Sequence, residues 1–130
     1  MTESRFVLDT NAVIFLAAKG SMIPVSLQID LDKADLFISA ITEIELFAKP
    51  GMPHDEEKRL SAFISDRILV IDLTSDVKNE TIKLRRTAKL KLPDCIIAAT
   101  AIVHNAVLLT ADRELLRLNC SGFSVKPFGT

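Results

Sequence analysis

Four carboxylates are placed where a chain could do metal-assisted chemistry: Asp9, Glu45, Asp94 and Asp112. Asp9 directly follows the short apolar run Phe6-Val7-Leu8, and Asp112 lies three residues past the run Val107-Leu108-Leu109. Glu45 falls early in the helix expected after a further apolar run, Leu36-Phe37-Ile38, and Asp94 opens the apolar helix CIIAATAIVHN. In open parallel sheets, ligands bind in the crevice beyond the carboxyl ends of the strands, and each acid follows a point where the chain reaches one such edge. Carboxylates converging there repel one another unless a cation holds them. Oxygen-only ligation favours Mg²⁺ or Mn²⁺. The chemistry that suits such an ion is phosphodiester hydrolysis, in which it activates a water and neutralises charge on the phosphoryl oxygens. Zinc chemistry is excluded, because His54 and His104 fit no HExxH pattern and Cys95 and Cys120 form no CxxC.

The same acids admit a plainer reading. Asp94 after Pro93, and Asp112 ahead of Arg113-Glu114-Leu115-Leu116, stand where helix N-caps stand. Thr42-x-x-Glu45 matches a capping box, which explains Glu45 without any metal. Asp9 has no helix of its own to start except through Asn11. Placement alone leaves both readings open.

The elements that would position these acids follow from periodicity. Strands are expected at Phe6–Leu8, Leu36–Ile38, Ile68–Leu73, Val107–Leu109 and, at an edge, Phe123–Phe128. Helices are expected over Ala12–Ala18, from Thr42 to before Pro50-Gly51, over Asp55–Ser65, Ser75–Leu92, from Asp94, and over Asp112–Leu118, while Met22–Leu31 is ambiguous. Strands alternating with helices predict an α/β three-layer sandwich around a mostly parallel five-stranded sheet. The 130 residues are one domain's worth of chain, and 48% apolar with 25% charged residues is ordinary for a globular protein. No apolar run is long enough to span a membrane and no signal-peptide stretch is seen, so a cytoplasmic protein is expected. A net charge of -1 excludes a general basic coat, and the absence of Trp and Tyr excludes a broad base-stacking platform.

LDTNAVI, SAITEIEL, LKLPDCIIAATA and LLTADREL resemble, in order, the four signature segments of the PIN-domain family, closest to the VapC-type toxin ribonucleases. The resemblance covers nearly the whole chain. It implies a parallel five-stranded sheet between helices and a Mg²⁺- or Mn²⁺-dependent endoribonuclease acting on RNA. It also implies neutralisation by a cognate antitoxin and a homodimer. Carried over by motif, the acids are Asp9, Glu45, Asp94 and Asp112, with Asn11 supporting the site and Thr110 orienting a carboxylate through its hydroxyl. Cys95 stands where Ala is usual, and Lys49-Pro50 replaces a small or Gly-ending run. A helical wheel places Glu45 near the arc of Ile41 and Ala48, with Glu43 about 160° away as a surface acid.

RNA requires phosphate contacts. Lys78, Arg85, Arg86 and Lys89 fall within about 100° of one helix arc, a stripe leading towards Lys91 and Asp94; the alternative is a solvated helix face. The apolar stretch Ala12–Leu31 exceeds what one short helix buries, which predicts a self-association or antitoxin surface. An aspartate-nucleophile phosphatase is disfavoured because Asn11 stands where its second acid belongs, and a receiver domain because Leu73-Thr74-Ser75 follows the third strand. A non-catalytic binding or adapter module remains the alternative from another class.

Overall fold

The computed structural model of the chain describes residues 4–19 and 33–127. Its elements run β1 (Arg5–Leu8), α1 (Thr10–Lys19), β2 (Asp35–Ser39), α2 (Ala40–Phe47), α3 (His54–Arg67), β3 (Ile68–Ile71), α4 (Ser75–Thr87), α5 (Leu92–Val103), β4 (Val107–Thr110), α6 (Arg113–Arg117) and β5 (Ser124–Pro127). The five strands form one sheet in the order β3-β2-β1-β4-β5, and every pairing is parallel.

The strand sequences dictate the layers. Side chains alternate across a strand, and in a sheet covered on both faces both sets must be apolar. Phe6 and Leu8, Leu36 and Ile38, Val107 and Leu109 point to one face, where they pack with Ala12, Val13 and Leu16 of α1 and Leu60 and Ile64 of α3. Val7, Phe37 and Leu108 point to the other, against Val77 and Leu84 of α4 and the alanine-rich face of α5. The three-layer sandwich expected from the strand–helix alternation is present, with a sheet that is parallel throughout. Among the described residues no helix is long and apolar enough to cross a membrane.

Several boundaries differ from the expected ones, among them the starts of α1 at Thr10 and of α5 at Leu92. The second helix opens at Ala40 rather than Thr42, because the Ser39 hydroxyl accepts hydrogen bonds from the Ile41 and Thr42 amides. The segment Ser75–Leu92 is not one helix: α4 ends at Thr87 and Ala88 is extended. A helix running on would drive the Pro93 ring into the carbonyl of the preceding turn, and proline is tolerated only in a first turn. The chain therefore breaks over 88–91 and restarts with Lys91 as the N-cap of α5. The third strand stops at Ile71, short of Leu73. Of the apolar stretch Ala12–Leu31, Ala12, Val13 and Leu16 are buried in the core while Ile14 is exposed, and residues 20–32 lie outside the described residues, as does Phe128.

The turn from α5 into the central strand β4 is set by a Schellman motif. The Ala106 amide donates to the Ala101 carbonyl at 3.0 Å and the Asn105 amide to Ile102 at 3.2 Å, with Asn105 at φ 52°. Asparagine is one of the few residues that visits this left-handed region readily. Asn105→Gly is expected to keep or raise stability and Asn105→Val to lower it by about 1–2 kcal/mol, read from urea-unfolding midpoints.

Candidate active site

β1 and β4 lie side by side at the centre of the sheet, and from them the chain winds outward in opposite directions. That reversal opens a crevice beyond the carboxyl ends of these two strands. Asp9 follows β1, and Thr110 ends β4 with Asp112 two residues later. Asp9 is 8% exposed, and both its oxygens are engaged. Oδ1 accepts from the Ala12 amide at 2.8 Å, which makes Asp9 a cap of α1, and Oδ2 accepts from the Thr110 hydroxyl at 2.5 Å. The Thr110 hydroxyl in turn accepts from the Asp112 amide at 3.0 Å. Thr110 thus joins the two strand ends across 101 residues of sequence.

The capping alternatives divide. Asp112 does cap its helix: Oδ1 accepts from the Glu114 and Leu115 amides, while Oδ2 receives no hydrogen bond among the described residues. Asp94 caps nothing, because Lys91 is the N-cap of α5 and Asp94 sits three residues in. Glu45 belongs to no capping box, since Ser39 caps α2. Instead, the Thr10 hydroxyl donates to Glu45 Oε1 at 2.9 Å, tying α2 to the residue after Asp9. Glu45 is exposed and Glu43 half-buried, the reverse of the wheel's assignment of Glu43 to the surface. Asn11 is exposed on the first turn of α1, and among the described residues no hydrogen bond ties it to the acids.

The electrostatics link the same residues. Burial pushes the Asp9 carboxyl above its ordinary value and the Asp112 charge adds to this, against the stabilising donors Thr110 and Ala12. Burial likewise raises Asp94, and the charges of Asp112, Glu45 and Glu114 raise it further against the pull of Lys91. Asp112 thus acts on both Asp9 and Asp94, and Glu45 acts on Asp94. Glu114 is a fifth that the motif reading passed over, although it stands two residues after Asp112. Thr10 was also missed, since nothing in the sequence alone shows what its hydroxyl faces.

Among the described residues no three His, Cys, Asp or Glu side chains form a ready-made cage for a metal ion. The donor set nonetheless suits a hard divalent cation: it is all oxygen, and neighbouring acid charges add to what burial does in raising the Asp9 and Asp94 carboxyls, as where a counter-charge is wanted. Of the basic stripe, Lys78, Arg85 and Arg86 are exposed on α4, and Lys89 is exposed in the link beyond the helix end. Arg85 is not free, because its Nη1 donates to the Leu90 carbonyl at 2.9 Å.

The sequence pattern of the PIN domain matches residues 6–119. No curated protein matches the chain. Among solved structures, a chain of DNA-bound VapBC from Salmonella typhimurium is 27% identical with a TM-score of 0.70, the match covering 95% of this chain and 97% of that one. A chain of a toxin–antitoxin complex from Klebsiella pneumoniae is also 27% identical, with a TM-score of 0.66 and coverage of 90% and 93%. VapBC2 from Rickettsia felis, bound to a DNA fragment from its promoter, shares the fold at 22% identity, with a TM-score of 0.76 and coverage of 96% and 99%.

Two expectations test the geometry. Thr110 is fully buried, so Thr110→Val keeps the shape but strips a donor from Asp9 and an acceptor from Asp112. Urea unfolding should show a loss of about 1–3 kcal/mol, and an unchanged midpoint would refute the bridge. The raised Asp94 carboxyl means that the folded chain binds this proton more tightly than the unfolded one does. Stability is then lost as pH rises from the ordinary value of 3.8 through the folded value. Asp94→Asn removes that loss. Melts of metal-free protein should coincide with wild type in acid and lie above it near neutrality.

Proposed function

Because the chain belongs to the PIN-domain family, we propose that it is a VapC-type toxin: an endoribonuclease that hydrolyses phosphodiester bonds in RNA with Mg²⁺ or Mn²⁺. The observation that carries this reading is the arrival of acids from four separate segments at the sheet's switch point, with their charges acting on one another. Asp9, Glu45, Asp94 and Asp112 would hold the ion, which when bound supplies water activation and charge neutralisation at the scissile phosphate.

The protein's own part is positioning. Asp9 is fixed by two donors, Glu45 is oriented by Thr10, and Asp112 uses one oxygen on α6 while keeping the other available. A cation at the edge would oppose what raises the Asp94 carboxyl, burial first and then the neighbouring acid charges. Lys78, Arg86 and Lys89 would guide the RNA backbone, since lysine and arginine contacts to phosphate position the strand without reading bases. Asn11, on the turn beside Asp9, would support substrate or solvent there.

A cognate antitoxin as partner is supported by the toxin–antitoxin complexes among the similar structures. A homodimer is supported by apolar surface at the same end of the sheet. Ile44 is 60% exposed and Leu73 47%, beside an apolar hollow of about 180 Å³ that also takes in Ile41, Ile71 and Ile96. A cytoplasmic location accords with this reading.

Purified protein incubated with single-stranded RNA and Mn²⁺ should cleave it, and a chelator should stop the reaction. Asp112→Asn keeps a side chain that caps α6 nearly as well, so it should fold normally. Cleavage should nevertheless fall by orders of magnitude, as it should in Asp94→Asn. RNA binding without cleavage in wild type would favour the adapter module instead.

A further inference from the structure

One basic residue of the α4 stripe is already occupied. Arg85 stands in the last turns of α4, and its Nη1 reaches past the helix end to donate to the Leu90 carbonyl at 2.9 Å. Leu90 is itself anchored, its side chain only 5% exposed in the core layer that holds α4 and α5. The Cys95 thiol approaches the same carbonyl at 3.8 Å from within the first turns of α5. Lys91, the next residue, caps α5 without any side-chain hydrogen bond, and its carbonyl receives the Cys95 amide at 3.0 Å. Asp94 lies between these two points.

Beyond the burial of Leu90, the link 88–91 has no proline to stiffen it and its N-cap Lys91 makes no side-chain capping bond, so internal restraints are few. The Arg85 guanidinium supplies one from outside: always charged and planar, it makes stronger hydrogen bonds than a neutral donor. We propose that Arg85 is a positioning residue for Asp94, clamping the Leu90 carbonyl so that the first turn of α5 is held at the acidic edge, and that it is not a phosphate contact. This rests on the reading of Asp94 as a ligand of a divalent ion. A shift of the α5 terminus carries Asp94 with it, and residues that orient metal ligands typically govern affinity by about 10- to 100-fold.

Arg85→Lys and Arg85→Met test this with two readouts beside cleavage. The first is Mn²⁺ affinity by calorimetry, paired with the salt dependence of RNA binding measured in chelator. The second is amide hydrogen exchange at Cys95 in metal-free protein. Mn²⁺ affinity should fall in the order wild type, Lys, Met, with Met weaker by about tenfold. Cys95 exchange should quicken in the same order, and the salt slope should stay as in wild type. Arg86→Met serves as the contrast, lowering that slope by about 0.7 as a lost phosphate contact does on single strands. The proposal is overturned if both Arg85 variants keep wild-type ion affinity and exchange. It is equally overturned if Arg85→Met lowers the salt slope while ion affinity holds. Should Arg85→Met fail to fold, Arg85→Lys, which retains charge and one donor, decides by the same criteria. Wild type that binds no Mn²⁺ sinks the functional reading, and the exchange rates then judge Arg85 alone.

Discussion

Like charges brought to one edge of a sheet oppose the fold that gathers them. Asp9, Asp94 and Asp112 each lie close enough to another acid for its proton affinity or its neighbour's to rise, and Glu45 and Glu114 add to the crowd. Contacts that hold the side chains inward must oppose both that repulsion and the cost of burial. The polar contacts at this edge supply that opposition. Two donors fix Asp9, one hydroxyl fixes Glu45, and Asp112 is held by the amides of α6. The Asp9 and Asp112 contacts also cap α1 and α6, so the same hydrogen bonds that contain the repulsion complete those helices and, through Thr110, the β1–β4 junction.

The parallel sheet makes this economy possible. With every strand running the same way, all carboxyl ends face one edge, and each helix that follows a strand begins there. Helix starts need acceptors for their free amides, and aspartate and serine supply them. Ser39 performs this task on β2 while Asp9 and Asp112 perform it after β1 and β4. Only at the central pair are the caps charged, which concentrates negative potential at the switch point rather than along the whole edge. Asp94 is the exception, reaching the edge from α5, which enters β4 from the other end.

Much of this was legible in the residues. The apolar triplets Phe6–Leu8 and Val107–Leu109 marked central strands because a strand buried on both faces has no polar alternation to lose. The four acids were legible because each interrupts or follows an apolar run. What stayed hidden depended on contacts across the fold. The break at 88–91 is concealed by apolar residues that keep helical spacing through it, and Pro93 belongs to the first turn of α5. Charge and arc placed Arg85 on a phosphate stripe, whereas the direction of its guanidinium depends on where the chain returns after α4. Whether Glu43 or Glu45 faces solvent depended on which arc of α2 packs inward, and that arc holds Thr42 and Leu46 rather than Ile41 and Ala48.

The bond between Thr110 and Asp9 spans 101 positions, and β1 pairs with β4 as its central neighbour. A chain emerging from the ribosome makes its first acid early and must wait for the segment around residue 110 before that acid gains its partner. Until then β1 can pair only with β2, and the carboxylates of Asp94 and Asp112 have no edge on which to meet. Long-range parallel pairing is also slow to form, because the loop must close before the contacts repay it. The order of synthesis therefore acts as a timer. Nascent fragments that stop short of Asp112 hold an incomplete set of these acids, and Asp9 lacks its Thr110 partner until β4 is made.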